Sequence, residues 1–176
     1  MRNVEIKAKV HDYDKICSIA KDLSGGTPTL IKQDDTFYKV NDGRLKMRFY
    51  ADSAATLVRY SRDDQDGPKL CNYELLEFSK DTTESQKARL LDNMLKKCLG
   101  VRGRVVKERK LYMVGQTRVH IDTVEDLGHF MELEVVLRPD QTLEEGQAIA
   151  KDLQTKLGVH DEDLIKGAYV DLLDKV

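Results

Sequence analysis

The first ten residues alternate strictly between apolar and charged side chains. The even positions from Val4 to Val10 are apolar, whereas Glu5, Lys7 and Lys9 at the odd positions are charged. Successive side chains of a β-strand point to opposite faces of a sheet. The pattern therefore predicts a strand with one face against a hydrophobic partner and the other face lined with charge.

The same alternation returns further along the chain. Three cations share one face of the segment Arg44-Leu-Lys-Met-Arg48, and Lys107-Glu-Arg109 and Glu132-Leu-Glu134 repeat the spacing. Runs of this kind between turn residues are typical of strands. Besides the first strand, the patterns predict strands over residues 30–40, 44–50, 57–62, 70–78, 104–114, 117–124 and 129–137.

Apolar residues at helical spacing predict four helices, each of which begins at a residue that can cap it. The predicted helices begin at Asp12, Asp81, Thr142 and Asp161. Two of these positions, Asp81 and Thr142, precede a glutamate by three residues, which is the spacing of a capping box. The last helix is predicted to carry an apolar stripe from Leu164 to Leu173, in which Tyr169 is expected to pack in the core.

Eight antiparallel strands and four amphipathic helices favour an α+β fold in which the helices cover the uncharged strand faces. The charged faces then point away from the helices. They line either the solvent side of an open sheet or the inside of a closed barrel, and an eight-stranded barrel is wide enough for one small ligand. Cations that face solvent indicate no function, whereas cations inside a barrel require an anion.

The overall composition predicts one domain, residues 1–176, with a core of its own. Acidic and basic residues nearly cancel, to a formal net charge of −2, which argues against duplex DNA or an anionic membrane as a partner. Neither a membrane span nor a secretory signal is recognisable. Cys17, Cys71 and Cys98 suit neither a disulfide framework nor a zinc site. We therefore expect a cytoplasmic protein, as a monomer or homodimer.

Cations gathered inside a barrel would repel one another unless a negative ligand lay among them. Arginine presents a planar fork to phosphate oxygens and lysine a compact charge, so a chain of phosphates is the matching ligand. The candidate phosphate-binding residues are Lys7, Lys9, Arg44, Lys46, Arg48, Arg62, Lys107 and Arg109.

Carboxylates occur on the same strand faces, where they would repel a polyanion unless a divalent hard cation such as Mg²⁺ or Mn²⁺ lay between them. The candidate metal ligands are Glu5, Asp122, Glu132 and Glu134. Ordinary ion pairs with neighbouring cations explain Glu132 and Glu134 equally well at this point.

These motifs resemble those of the CYTH superfamily of triphosphate tunnel enzymes, which includes thiamine triphosphatases, tripolyphosphatases and class IV adenylate cyclases. The family's Glu-x-Glu-x-Lys signature is similar to Glu5-Ile-Lys-Ala-Lys9, and its basic second block to Arg44-Leu-Lys-Met-Arg48. Lys107-Glu-Arg109 resembles the later Lys-x-Arg block, and residues 127–134 resemble the metal-binding end. The likeness covers nearly the whole chain.

The resemblance implies a small triphosphate substrate inside an eight-stranded antiparallel tunnel. It implies Mg²⁺ or Mn²⁺ as the cofactor, held by Glu5, Glu132 and Glu134 together with Asp122. Lys107 matches the lysine that helps to activate water in the hydrolases of the family, because crowding by other cations lowers the pKa of such an amine.

The chain departs from the family pattern at two positions. Lys7 replaces the second signature glutamate, which removes one carboxylate and adds a cation, and Phe37 stands where some hydrolases have a tyrosine. Three functions therefore stay open: a metal-dependent triphosphate hydrolase, an adenylate cyclase, and a non-catalytic module that binds polyanions. The hydrolase is the first hypothesis and the cyclase is its nearest rival. The extra cation at Lys7 keeps the third function open, because it would hold phosphate while it hinders the metal.

Overall fold

The computed structural model describes residues 2–62 and 67–175, with Arg62 described by its backbone alone. Its strands are β1 Arg2–Lys9, β2 Thr29–Tyr38, β3 Arg44–Tyr50, β4 Ala55–Arg62, β5 Lys69–Phe78, β6 Val101–Val114, β7 Thr117–Val124 and β8 Gly128–Val136. Its helices are α1 Tyr13–Ser24, α2 Thr82–Leu99, α3 Leu143–Lys156 and α4 Tyr169–Leu173, and a 3-10 turn spans Asp161–Asp163.

The eight strands of the described residues close into an antiparallel barrel in the order β1-β5-β4-β3-β2-β6-β7-β8. The predicted α+β fold, an eight-stranded barrel with helices packed outside, is therefore confirmed. The alternation in β1 also has the predicted consequence, since Val4, Ile6 and Ala8 are fully buried in the outer core. None of the helices in the described part of the chain is both long and apolar enough to span a membrane.

The helices cover two separate parts of the barrel wall. Helices α1 and α3 pack on β1, β6, β7 and β8, and α2 packs on β2, β4 and β5. Helix α3 lies so close to β1 that a Cβ on Gly146 would come within 2.7 Å of Val4 Cγ2, so this contact requires a glycine. Thr142 and Glu145 form the predicted capping box at the start of α3, whereas at α2 only the Asp81 side chain caps the backbone.

The predicted helix over Asp161 to Leu173 is wrong. The chain instead forms the 3-10 turn, then an extended segment, and then the short helix α4. Among the described residues, strand β5 pairs with β1 from Arg2 to Glu5. Beyond Glu5 the extended segment pairs with the same edge of β1, where the Ile165 N–H donates to the Lys7 carbonyl at 2.9 Å. Pairing with an open strand edge thus outweighs the helical spacing of the apolar residues.

Candidate active site

The inward-facing side chains of the barrel line a cavity of about 320 Å³, a volume at the small end of ligand sites. Helix α4 covers one end of the cavity with Tyr169. The cations that line the cavity are Lys7, Lys46, Arg48, Lys107, Arg109 and Arg118.

Asp35 on β2 neutralises two of these cations. Its carboxylate accepts two hydrogen bonds of 2.7 Å from Arg48 and one of 2.8 Å from Lys46. Burial alone would raise the pKa of Asp35, but Arg48 and Lys46 hold this pKa well below the usual carboxyl range. Asp35 is therefore ionised at neutral pH and fixes both cations against the wall of the cavity.

Arg109 on β6 is held by a second buried carboxylate. Its guanidinium donates to both oxygens of Asp122, at 2.7 and 2.6 Å, and to Glu132 at 3.3 Å. The hydroxyl of Tyr169 donates to Asp122 at 2.8 Å. Burial alone would raise the pKa of Asp122, but Arg109 and Lys107 hold it well below the usual range. Asp122 thus links Tyr169 of α4 to Arg109 on the barrel wall.

Three glutamates converge in the same cavity. Glu5, Glu132 and Glu134 bring one oxygen each to within 4.8 Å of one another. Glu132 contacts Arg109, and Glu134 accepts a hydrogen bond of 2.8 Å from Arg118. Because carboxylate oxygens are the ligands that hard divalent cations prefer, the cluster fits Mg²⁺ or Mn²⁺ in donor type and in spacing.

Two lysines lie over the ring of Tyr169. The ammonium nitrogen of Lys7 is 4.1 Å from the ring centroid and that of Lys107 is 4.9 Å from it. Burial, and then repulsion by Arg109, lower the pKa of Lys107 well below that of an ordinary lysine. Lys107 therefore gives up its proton more easily than an exposed lysine does.

The structure brings most of the residues singled out in the sequence into one place. The residues of that set that line the cavity are Glu5, Lys7, Lys46, Arg48, Lys107, Arg109, Glu132 and Glu134. They come from four strands, so the convergence follows from the closure of the barrel and from the side-chain alternation in each strand.

The other residues of the predicted set lie elsewhere. Lys9 is exposed at the end of β1, and Arg44 pairs with Asp171 of α4 at 2.9 Å, beside the covered end. The side chain of Arg62 falls outside the described residues. Asp122 lies behind Arg109, and the structure does not group it with the three glutamates.

The sequence patterns did not single out Asp35, Arg118, His120 or Tyr169 as site residues. Period-two alternation could have found Arg118 and His120, because they share a strand face with Asp122. Burial, and then the charge of Arg109, lower the pKa of His120 to about 4, so this residue is neutral at pH 7. No sequence signal places Tyr169 at the site, since its position depends on the extended segment before α4.

The chain belongs to the CYTH domain family, whose model matches residues 1–169. The resemblance seen in the motifs is thereby confirmed. No curated protein matches the chain at a significant level.

Several solved structures are similar to this chain. The PH1012 protein from Pyrococcus horikoshii OT3 is 22% identical, with a TM-score of 0.77 and coverage of 97% of this chain and 98% of that one. A candidate adenylate cyclase from Vibrio parahaemolyticus is 17% identical, with a TM-score of 0.74 and coverage of 98% and 97%. A candidate adenylyl cyclase from Hippeastrum, described as having a dominant triphosphatase activity, is 17% identical, with a TM-score of 0.59 and coverage of 89% and 88%. At these identities the likeness shows the fold alone.

The role of Asp35 can be tested by removing its charge. We expect Asp35→Asn to lower the free energy of unfolding by about 3 kcal/mol at pH 7, because it leaves two buried cations without their carboxylate. The difference from wild type should shrink in acid, as the pH falls through the lowered pKa of Asp35 and the wild-type carboxyl takes up its proton. Urea unfolding at several pH values measures both effects.

The neighbouring Asp34 provides a matched control, because its side chain points outward and forms an exposed pair with Arg104. We expect Asp34→Asn to cost less than about 1 kcal/mol, as is usual for surface ion pairs. Equal losses in the two variants would show that Asp35 does not compensate buried charge.

Proposed function

We propose that this protein is a divalent-metal-dependent triphosphatase, which hydrolyses a small triphosphate held inside the barrel. The observation that carries the proposal is the convergence of the glutamate cluster with six basic side chains in one cavity. Phosphoryl transfer requires positioning and charge neutralisation more than covalent chemistry by the protein. A cavity that offers basic side chains for the phosphates and carboxylates for a metal ion supplies these two requirements.

The cations of the cavity are already ordered before a substrate binds. Arg48 and Arg109 are each fixed by two hydrogen bonds to a buried carboxylate, which leaves the other edges of their guanidinium groups for phosphate oxygens. Little side-chain entropy is then lost when the triphosphate binds. This preorganisation supports tight binding of an anion and electrostatic stabilisation of the transition state.

Glu5, Glu132 and Glu134 would hold the Mg²⁺ or Mn²⁺ ion. When bound, the ion would neutralise charge on the phosphate oxygens and so weaken the repulsion between substrate and nucleophile. Glu132 and Glu134 now contact Arg109 and Arg118. If the carboxylates bound the metal instead, Arg118 and Arg109 would lose these contacts and could donate to phosphate, while Asp122 would still hold Arg109 in place. We therefore infer that metal and triphosphate bind cooperatively.

Lys107 is the candidate general base. In the proposed step its neutral amine takes a proton from water, the water oxygen forms a bond to the terminal phosphorus, and the bond between that phosphorus and the bridging oxygen breaks. Orthophosphate and a diphosphate are the products. The support for this role is the lowered pKa of Lys107 and its burial beside Arg109 and Tyr169.

A panel of triphosphates tests the proposed activity. We expect purified protein to release orthophosphate from inorganic tripolyphosphate, thiamine triphosphate or a nucleoside triphosphate, and only when Mg²⁺ or Mn²⁺ is present. Pyrophosphate together with a cyclic nucleotide would instead identify an adenylate cyclase. Binding of triphosphates without turnover at any metal concentration would identify a non-catalytic module.

The metal site is tested by Glu134→Gln. We expect the variant to lose at least about 100-fold in kcat/KM and to bind Mn²⁺ more weakly in calorimetry, because a carboxylate ligand is replaced by an amide. Glu74→Gln is the control, since Glu74 points out of the barrel and is 79% exposed on its side chain. Unchanged Mn²⁺ affinity in Glu134→Gln would remove Glu134 from the metal site.

The base is tested by Lys107→Arg, which keeps the positive charge but cannot lose a proton near neutral pH. We expect kcat to fall by about 100-fold or more while KM changes little. In the wild type, kcat/KM should rise with pH and level off below the usual pKa of lysine, because the deprotonated amine is the active form.

The rise with pH should be absent in Lys107→Arg. Lys110→Arg is the matched control, because Lys110 lies on the same strand but faces outward toward Tyr13. If Lys107→Arg retains wild-type turnover, the lysine acts only through its charge.

A further inference from the structure

Lys7 lies between the glutamate cluster and the covering segment, residues 164–173. Its ammonium nitrogen is 3.9 Å from Glu132 Oε2, 3.4 Å from the carbonyl oxygen of Gly167 and 4.1 Å from the ring centroid of Tyr169. The side chain is only 4% exposed. A buried side chain with contacts on several sides is held in one conformation. The ammonium group of Lys7 is therefore a fixed positive charge beside a candidate metal ligand.

The glutamate cluster has the size of a site for one metal ion. In the described part of the chain, Glu5, Glu132 and Glu134 are the only set of three or more carboxylate, imidazole or thiol side chains close enough to share an ion. Sites that hold two divalent ions place them about 3.5–4 Å apart and need ligands for both. Three carboxylates, each with one oxygen within 4.8 Å of the others, suit a single ion whose shell is completed by other oxygens.

The other carboxylates in and behind the cavity wall are engaged or remote. Asp35 and Asp122 are each held by an arginine through two short hydrogen bonds. Glu77 lines the cavity near the end of β5, whereas Glu5 pairs with the first residue of that strand. A second ion would have to share the glutamate cluster with the first, and there the charge of Lys7 would repel it.

We propose that Lys7 is a built-in cation, a fixed charge of the protein that takes the place of a second metal ion, so that the barrel binds one divalent ion. This inference rests on the proposed triphosphatase function. An ammonium group donates hydrogen bonds to phosphate oxygens and neutralises their charge, but it does not activate a water molecule as a metal ion does. Activation of water is then left to a side chain, which is the role proposed for Lys107.

The first experiment counts the metal ions by equilibrium dialysis against Mn²⁺, with and without the methylene analogue of tripolyphosphate, which cannot be hydrolysed. We expect one ion per wild-type chain under both conditions. Lys7→Glu replaces the cation by a carboxylate, and we expect it to hold a second ion when the analogue is bound. Lys32→Glu is the matched control, because it makes the same change of charge at an exposed residue that does not line the cavity. Two ions per wild-type chain would overturn the proposal.

The second experiment removes the charge of Lys7 without adding a carboxylate. We expect Lys7→Gln to bind Mn²⁺ about threefold or more tightly than wild type, because repulsion is lost. We expect the same variant to bind tripolyphosphate in EDTA about tenfold or more weakly, because a charged contact to phosphate is lost. Calorimetry measures both affinities, and Lys32→Gln should change neither. A role of Lys7 in packing alone would not shift the two affinities in opposite directions.

The two proposals fail in distinguishable ways. If Lys7→Gln and Lys32→Gln behave alike, or if both affinities of Lys7→Gln shift in the same direction, Lys7 is not a built-in cation, whether or not triphosphates are hydrolysed. If wild type binds one Mn²⁺ ion and the analogue but hydrolyses no triphosphate, the triphosphatase proposal fails and the role of Lys7 is retained. Wild type that binds no Mn²⁺ contradicts both. Thermal unfolding checks that each variant is folded, and Lys7→Gln decides the question if Lys7→Glu does not fold.

Discussion

The compensation of buried positive charge is the constraint on which the rest of this structure depends. A cation inside a barrel loses most of its hydration, and this loss is tolerated only where a carboxylate or a ligand replaces the water. Asp35 and Asp122 supply that replacement for Arg48 and Arg109, each through two short hydrogen bonds. The barrel can therefore fold around its cations without a bound anion, and these cations are in place when one arrives.

The aspartates and the glutamates compensate the buried positive charge in different ways. The aspartate Asp122 belongs to the packed interior, whereas the glutamates line the cavity. Asp122 is fully buried behind Arg109 and also binds Tyr169, so it cannot turn away without disturbing α4. Glu132 and Glu134 line the cavity itself and contact arginines at its surface. A carboxylate that lines the cavity can exchange its contact with an arginine for a contact with another cation. The same charged groups thus stabilise the barrel and present ionised side chains to the cavity.

Side-chain alternation made the barrel and much of the site predictable. A strand with one charged and one apolar face must bury the apolar face and turn the charged face the other way. The parts that could not be predicted depend on backbone pairing between distant segments. The stripe from Leu164 to Leu173 has helical spacing. Its first residues are nevertheless extended, because they pair with the open edge of β1. Arg44 has the same spacing as Lys46 and Arg48, but α4 brings Asp171 to it. Spacing alone could not separate these outcomes.

Lys7 shows how one departure from the family signature is accommodated. Its ammonium group lies over the ring of Tyr169, 3.4 Å from the carbonyl oxygen of Gly167 and 3.9 Å from Glu132. A glutamate here would place its negative charge beside the electron-rich face of that ring and beside another carboxylate. The lysine instead attracts both, and it links the covering segment to the glutamate cluster. Because the same ammonium group would repel a nearby divalent ion, we expect the three glutamates to hold one metal ion rather than two.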